Sequence, residues 1–199
     1  MRNNYYITTP IYYVNDKPHI GHAYTSIACD IMARFKRLDG YNVKFLTGTD
    51  EHGQKVEKAA LAQNKTPLEY ANVISKDFRA LTKTLNLSND DFIRTTEKRH
   101  KIASENLWKK LFDNNHIYLS KYSGWYALRD EAFYSEKEIT NGKAPTGAEV
   151  TWVEEESYFF DLSKWQDKLL NFYDENPTFI YPISRMNEVE SFVKSGLRD

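Results

Sequence analysis

The order of local patterns at the start of the chain constrains the fold more than any other feature of this sequence. Residues 4–8 (NYYIT) are short, aromatic and β-branched, which is typical of a buried strand, and residues 43–46 (VKFL) form a second such run. Between them, residues 22–38 carry apolar side chains at helical spacing and are followed by Gly40, a helix stop. A strand, a helix and a parallel strand form a right-handed βαβ unit, which places ligands at the carboxyl ends of its strands.

The spacing within the first helix also predicts its buried face. The positions expected to face the core are Ile27, Ala28, Ile31 and Phe35. Asp30, Arg34 and Arg37 fall on other faces of the helix.

The loop before this helix ends in a pair of histidines, in the order His19-Ile20-Gly21-His22. A helix start has unpaired N–H groups and a partial positive charge, so it favours a phosphate, and two imidazoles would add further donors. Gly21 has no Cβ, which would let a flat ligand lie against the backbone. The same His-x-x-His spacing also suits a metal ion, and exposed histidines at a helix start often have no function. All three interpretations remain open from these residues alone.

A second motif, GTDEHG at residues 48–53, follows the second strand and leads into a helix that is expected to end near residue 63. Thr49 or Asp50 is predicted to cap this helix, and capping alone would account for an aspartate. The Asp50 carboxylate would also face the crevice at the end of the first strand. There it could pair with the amino group of a substrate through a charge-assisted hydrogen bond.

The remaining patterns up to residue 115 complete an α/β region. Thr66 to Glu69 (TPLE) is a capping box with proline at the first helical position, and its helix is expected to end near residue 85. Residues 91–94 predict a third strand and residues 97–114 a further helix. The apolar face of that last helix is predicted to consist of Ile102, Leu107, Trp108 and Leu111. This order is that of the first half of a doubly wound parallel, Rossmann-type nucleotide-binding domain.

The sequence changes character after residue 115, from long helical periods to short aromatic runs. Small antiparallel strands are predicted at residues 117–122, 125–128, 132–134, 149–153 and 158–160, with a turn at Asn141-Gly142. Ser163 and Ser184 are predicted to cap two further helices, over residues 164–174 and 185–194. Residues 1–115 and 116–199 are therefore expected to form an α/β domain and a smaller α+β domain.

Composition excludes several classes of protein. No apolar run approaches the roughly 18 residues that span a membrane, so a cytoplasmic protein without membrane association is expected. The single cysteine, Cys29, excludes a disulfide within the chain. The net charge of −1 lacks the basic excess typical of nucleic-acid-binding domains, so any RNA contact must use a local patch.

The stretches TTPIYYVNDKPHIGHAYT (residues 8–25) and FLTGTDEHGQK (residues 45–55) resemble the methionyl-tRNA synthetases, which are class I aminoacyl-tRNA synthetases with a HIGH signature and a HUP-like catalytic domain. The resemblance implies an enzyme of protein biosynthesis. It would join methionine to ATP, with Mg²⁺, as methionyl-adenylate and then transfer the methionyl group to tRNA(Met). In such an enzyme His19 and His22 would be catalytic, and with Gly21 they would bind ATP.

The resemblance also implies a methionine site. Asp50 and Ile11 would hold the amino group and backbone side of methionine, and Tyr13 would help to form the pocket for its side chain. Tyr12 and His52 are further candidates near this site, and His52 has no definite role.

In that family a connective-peptide insertion begins near residue 116, and many members bind zinc there through cysteines. This sequence has neither cysteine nor histidine between Lys121 and Asp199, so a knuckle without zinc is expected, packed around Trp125, Tyr126 and Phe133. The family's lysine-rich KMSKS loop has no counterpart here. The resemblance therefore implies a chain truncated before the second half of the catalytic domain, and inactive by itself.

Three alternatives compete with this interpretation. A small nucleotidyltransferase shares the His-x-Gly-His arrangement, although the GTDEHG segment argues against it. A fragment without catalytic activity could bind RNA or a partner protein through its aromatic surface. A metal site would require His19, His22 and His52 to converge on one point.

Overall fold

The structure is a computed structural model that describes residues 3–199, with the backbone alone at Tyr122 and Glu155. The chain divides into two compact units, one ending at Asn106 and one spanning Leu107–Asp199. The sequence-based boundary lies nearby, at residue 115. Among the residues that the structure describes, none of the helices has the length and hydropathy that a membrane span requires.

The first unit is built on a parallel sheet. Its elements are β1 (Asn4–Thr8), β2 (Tyr12–Tyr13), α1 (Ile20–Leu38), β3 (Asn42–Asp50), α2 (Gln54–Leu61), α3 (Pro67–Thr84), β4 (Asp91–Arg94) and the start of α4 (Lys98–Asp113). Strand β3 is central: β1 and then β2 pair with one edge of it, and β4 pairs with the other. The predicted βαβ unit and the Rossmann-like fold class are confirmed.

The strand register places the ends of three strands side by side. Thr49, near the end of β3, lies opposite Tyr12 of β2 on one edge and opposite Arg94 of β4 on the other. Asp50, the last residue of β3, lies opposite Tyr13. The carboxyl ends of β2, β3 and β4 therefore meet at one edge of the sheet.

The core of the first unit lies between the sheet and helices α2 and α3. Its buried cluster consists of Tyr12, Val14, Val56, Ala60, Tyr70, Ala71, Ile74, Phe78 and Phe92. Phe78 is 2% exposed and stacks on Tyr12 with 5.6 Å between the ring centroids. The packing of α3 therefore fixes the strand residue that precedes the α1 loop.

The predicted buried face of α1 is wrong. Ile27, Ala28, Ile31 and Phe35 are exposed, and the buried residues of α1 are Ser26, Asp30 and Ala33. The reason is a polar anchor at Asp30, whose Oδ1 accepts hydrogen bonds from Ser88 N at 2.6 Å and Ser88 Oγ at 2.7 Å. A small and polar face of the helix therefore packs inward, and its apolar stripe faces outward.

The predicted apolar face of the last helix in this region is also wrong, since α4 has no buried residue among those described. Leu107 is 60% exposed. Trp108 is half-exposed, and its ring meets the edge of Tyr158 with 5.0 Å between centroids.

Strand β3 continues beyond the predicted residue 46 and ends at Asp50. Helix α2 then begins at Gln54 with Gly53 as N-cap, so the prediction that Thr49 or Asp50 caps it is wrong. Gly53 has a φ of +107°, a conformation that favours glycine. The capping box of α3 is confirmed: Glu69 N donates to Thr66 Oγ1, and Thr66 N donates to Glu69 Oε2 at 2.9 Å.

The second unit combines an antiparallel sheet with two helices. Its elements are β5 (Ile117–Ala127), β6 (Ala132–Tyr134), β7 (Thr151–Phe160), α5 (Gln166–Glu175) and α6 (Ile183–Lys194), with the strand order β6-β5-β7. The predicted runs 117–122 and 125–128 are one strand, as are 149–153 and 158–160. They are continuous because β5 and β7 pair without interruption from Ile117 opposite Phe160 to Tyr126 opposite Thr151.

The core of the sheet in this unit differs from the prediction. Its buried members are Ala127, Ala144 and Ala148, packed against Tyr134 and Val150. The predicted aromatic centre is wrong, because its side chains pair along the sheet surface instead.

Those aromatic pairs are Trp125 with Trp152, at 5.3 Å between centroids, and Tyr126 with Phe133, at 4.8 Å. The helix caps are also not those predicted: Trp165 and Pro182 stand at the N-cap positions of α5 and α6, in place of Ser163 and Ser184.

Substitution of Gly48 tests how closely strands β3 and β4 approach each other. A Cβ at Gly48 would lie 2.0 Å from the backbone oxygen of Ile93 in β4, an atom that cannot move without breaking the β3–β4 ladder. Gly48→Ala is therefore expected to lower the free energy of unfolding by about 3 kcal/mol, the upper end for an overpacked interior. Chemical denaturation measures this.

The matched control is Gly40→Ala, at a residue with a φ of +84° and no atom within 4 Å of the added Cβ. That variant bears only the cost of the left-handed backbone, about 1 kcal/mol. Equal losses for the two variants would contradict the close approach of β3 and β4.

Candidate active site

A cleft at the carboxyl end of the parallel sheet contains most of the predicted site residues. Its volume is about 420 Å³, and it is lined by Ile11, Tyr12, Tyr13, Asn15, Asp16, Lys17, His19 and His22. A larger polar cleft, of about 600 Å³, lies by the start of β4 and the end of α3 and contains none of the predicted residues. The cleft of interest brings together Ile11, Tyr12, Tyr13, His19 and His22.

The two histidines cap helix α1 reciprocally. Gly21 N donates to His19 Nδ1, and His19 N donates to His22 Nδ1, each at 3.1 Å. The imidazole rings stack with 3.8 Å between centroids. This is the geometry of a capping box, in which imidazole nitrogens replace the usual hydroxyl and carboxylate acceptors.

The capping bonds fix the tautomer of both rings. A neutral imidazole has one acceptor nitrogen and one N–H, so a ring that accepts through Nδ1 carries its proton on Nε2. The backbone therefore uses one nitrogen of each of His19 and His22. The Nε2–H groups are then the donors that the two rings can offer to a ligand.

The His22 ring is held by aromatic neighbours. Tyr12 and Phe78 pack against it in edge-to-face geometry, at centroid distances of 4.7 and 5.0 Å. The hydroxyl of Tyr12 lies 2.9 Å from Ser26 Oγ, which anchors Tyr12 to α1. Burial, and then the neighbouring His19, lower the pKa of His22 below its ordinary value of 6.5. At neutral pH His22 is therefore an uncharged donor.

Gly21 has a structural role at this helix start. A Cβ at this position would lie 2.9 Å from Cε1 of His19, so a side chain would displace the ring that accepts its own N–H. The sequence suggested that Gly21 makes room for a ligand. The structure adds that it makes room for His19.

Asp50 lies beside the cleft, at the end of β3 and opposite Tyr13. It is half-buried, and among the described residues its carboxylate has no hydrogen-bond or ion-pair partner. Ile11 and Tyr13 are 41% and 46% exposed. The site thus offers a carboxylate that can accept hydrogen bonds next to exposed apolar surface, a combination suited to a ligand with an amino group and an apolar side chain.

His52 follows β3 and is exposed, with Nε2 3.4 Å from the backbone oxygen of Thr95. Within the described ranges, no group of three metal-ligating side chains converges on one point. The proposed metal site of His19, His22 and His52 therefore has no geometric support.

Sequence reasoning missed two residues here. Glu51 is 3% exposed and forms an ion pair with Arg94, at the ends of the neighbouring strands β3 and β4. Opposite charges at the carboxyl ends of two strands expected to be adjacent were the available signal.

Comparison with known proteins identifies the family of this chain. The family model described as tRNA synthetases class I (M) matches residues 5–150. The methionine–tRNA ligase of Rickettsia felis is 66% identical over 200 residues, which are 100% of this chain and 39% of that protein. The methionine–tRNA ligase of Bacillus subtilis is 53% identical over 210 residues, covering 99% of this chain and 32% of that protein. The chain thus spans about two fifths or less of these relatives.

Solved structures give the same result. The Mycobacterium tuberculosis methionyl-tRNA synthetase in complex with methionyl-adenylate matches 99% of this chain and 40% of its own, with a TM-score of 0.90 and 51% identity. The apo form of the M. tuberculosis enzyme matches with a TM-score of 0.73, 48% identity, and coverage of 100% of this chain and 38% of its own.

The lowered pKa of His22 predicts a dependence of stability on pH. The unfolded chain binds this proton more tightly than the folded chain, so the contribution of neutral His22 is complete above pH 6.5 and is lost as the pH falls through the folded-state pKa. Denaturation curves measured across this range should show it. Nitrogen-15 NMR of the neutral rings should find Nδ1 unprotonated and Nε2 protonated in His19 and His22.

The control is His22→Ala, which should flatten the pH dependence of stability in this range. A protonated Nδ1 on either ring in the neutral state would contradict the capping assignment.

Proposed function

This chain belongs to the class I tRNA synthetases (M), and from that premise we propose that it carries the methionine- and ATP-binding side of a methionine–tRNA ligase. In this proposal residues 1–115 supply the first half of the nucleotide-binding domain, and residues 116–199 are a connective-peptide insertion. The complete protein joins methionine to ATP as methionyl-adenylate, releases pyrophosphate, and transfers the methionyl group to tRNA(Met). Its location is the cytoplasm.

The first step is an attack by the methionine carboxylate on the α-phosphate of ATP. The nucleophile is already an anion, so the protein needs little acid-base chemistry and mainly positions the reactants and stabilises charge on the phosphate oxygens. The Nε2–H groups of His19 and His22 meet this need, because both rings are held by the backbone at a helix start. Magnesium enters with ATP as part of the substrate.

Asp50 and the exposed side chains of Ile11 and Tyr13 suit methionine. The Asp50 carboxylate accepts the α-ammonium group, Ile11 contacts the backbone side of methionine, and Tyr13 helps to form the pocket for its side chain. Tyr12 acts through His22, whose ring it contacts. The observation that carries the proposal is this combination of two tautomer-fixed donors in the cleft and an unpartnered carboxylate beside it.

The alternatives fit this site less well. A small nucleotidyltransferase would use the histidine pair, but it gives no reason for the unpartnered Asp50 beside apolar surface. A binding module without catalytic activity would not need the reciprocal capping that leaves both Nε2–H groups as donors.

The exposed stripe of α1 supports the assignment of residues 1–115 as half of a doubly wound domain. The stripe consists of Ile20, Tyr24, Ile27, Ile31, Phe35 and Leu38, of which Leu38 is 89% exposed. In a doubly wound domain the second half would cover apolar surface of this kind. The absence of that half from residues 1–199 is why we propose that they do not activate methionine by themselves.

The principal test is methionine-dependent ATP–pyrophosphate exchange by the full-length protein that the gene encodes. His19→Asn and His22→Asn keep an acceptor near the Nδ1 position and lose the Nε2 donor, so each should reduce exchange by about 10²–10³-fold. The unfolding temperature should change little, because the cap is retained.

His100→Asn, on α4, is the matched control and should exchange at the parental rate. Parental exchange by either active-site variant would remove that histidine from the mechanism. No methionine-dependent exchange by the parental protein would overturn the proposed function.

We also propose that the second unit folds without zinc, since no thiol or imidazole is present between Lys121 and Asp199. A chelator should leave the melting temperature of the 199-residue chain unchanged. Stoichiometric zinc that is lost together with structure on chelation would refute this.

A further inference from the structure

We infer that the buried ion pair between Glu51 and Arg94 positions the Asp50 carboxylate, and that the pair therefore determines how tightly the site holds the amino group of methionine. This inference rests on the proposed function and adds two positioning residues to it. Neither residue lines the cleft, and the effect is expected to act through Asp50, which lies beside the cleft opposite Tyr13.

The Glu51 carboxylate is completely enclosed, with a side-chain exposure of 0%. Arg94 binds it with two parallel bonds, Nε to Oε1 at 2.7 Å and Nη2 to Oε2 at 2.9 Å. The hydroxyls of Thr49 and Thr96 donate to the same two oxygens. The carboxylate is therefore paired and fully hydrogen-bonded, and a bidentate arginine defines its orientation.

The network joins three elements of the first unit. Glu51 follows β3, Arg94 ends β4, and Nη2 of Arg94 also donates to Asn72 Oδ1 in α3 at 2.7 Å. The backbone N–H of Glu51 donates to Thr95 Oγ1 at 2.9 Å. Both the backbone and the side chain of Glu51 are thus attached to the end of β4.

Stability alone gives a weak reason for such a pair. Removing two charges from water costs about as much as their attraction returns, and apolar replacements of buried pairs are often neutral or stabilising. A second arginine–carboxylate pair that involves β4, between Asp91 of the strand and Arg99 of α4, is on the surface, with side-chain exposures of 30% and 50%. The buried pair lies at the carboxyl end of β4, beside the candidate active site, where the orientation of side chains affects ligand binding.

The consequence for Asp50 follows from the alternation of side chains along a strand. Thr49 and Glu51 flank Asp50, and they are bonded to each other, Thr49 Oγ1 to Glu51 Oε1, at 2.8 Å. Neighbours at i−1 and i+1 lie on one face of an extended chain, and residue i lies on the other. With both neighbours anchored in the interior, the Asp50 carboxylate, which lacks a protein partner in the described chain, is directed to the opposite face.

The test uses the full-length protein and steady-state ATP–pyrophosphate exchange. Glu51→Gln keeps the shape of the side chain but weakens the pair, so the KM for methionine should rise by about tenfold, while the KM for ATP changes less than about twofold. Arg94→Lys keeps the charge and loses the bidentate fork, and should give a smaller shift in the same direction. Asp91→Asn, which breaks the surface pair of the same strand, is the matched control and should leave both KM values unchanged.

A methionine analogue without its amino group separates positioning from general damage. The inhibition constant of 4-(methylthio)butanoate should differ less than about twofold between the parental protein and Glu51→Gln, because this ligand has no ammonium group for Asp50. Equal weakening of methionine, ATP and the analogue would overturn the inference, as would a lowered melting temperature with an unchanged methionine KM. Normal exchange by the parental protein in those cases would leave the proposed function intact.

Discussion

The pairing of β3 with neighbours on both of its edges is the interaction on which the rest of the first unit depends. Because all of these pairs are parallel, the chain leaves β2, β3 and β4 at the same edge of the sheet. Asp50, Tyr13 and Arg94 therefore lie in adjacent positions although they are distant in sequence. The proposed ligand contacts are made from these strand ends, from Ile11 just before β2, and from the start of α1.

At the start of α1, two side chains accept hydrogen bonds from the backbone N–H groups and can still donate hydrogen bonds to a ligand. Its first N–H groups need acceptors, and histidine has one nitrogen for that purpose and another that can donate. A serine or aspartate cap would satisfy the backbone but would offer no N–H to a phosphate. The reciprocal bonds of His19 and His22 thus combine capping and ligand binding in the same side chains.

Sequence patterns predicted the parts of the fold that depend on local chemistry. The first βαβ unit, the Thr66 capping box and strand β4 follow from propensity and spacing within a few residues. The inward face of α1, the length of β3 and the merging of short runs into β5 and β7 do not, because each depends on a partner far along the chain. His19, His22 and Asp50 were predicted from the local sequence pattern, and Ile11 and Tyr13 from the family resemblance. The tautomers of the two histidines and the Glu51 network could be obtained only from the structure.

The wrong prediction of the buried face of α1 and the absence of Glu51 from the predicted site residues have the same physical origin. Asp30 binds Ser88, and Glu51 binds Arg94, so each carboxylate is buried because its partner arrives from another element more than 40 residues away. Hydrophobic periodicity treats such residues as solvent-facing and assigns the apolar stripe to the core instead. In this unit, specific ionic and hydrogen-bonded pairs decide which face of α1 is inside and how the end of β3 is held. The apolar stripe of α1 remains outside as a result.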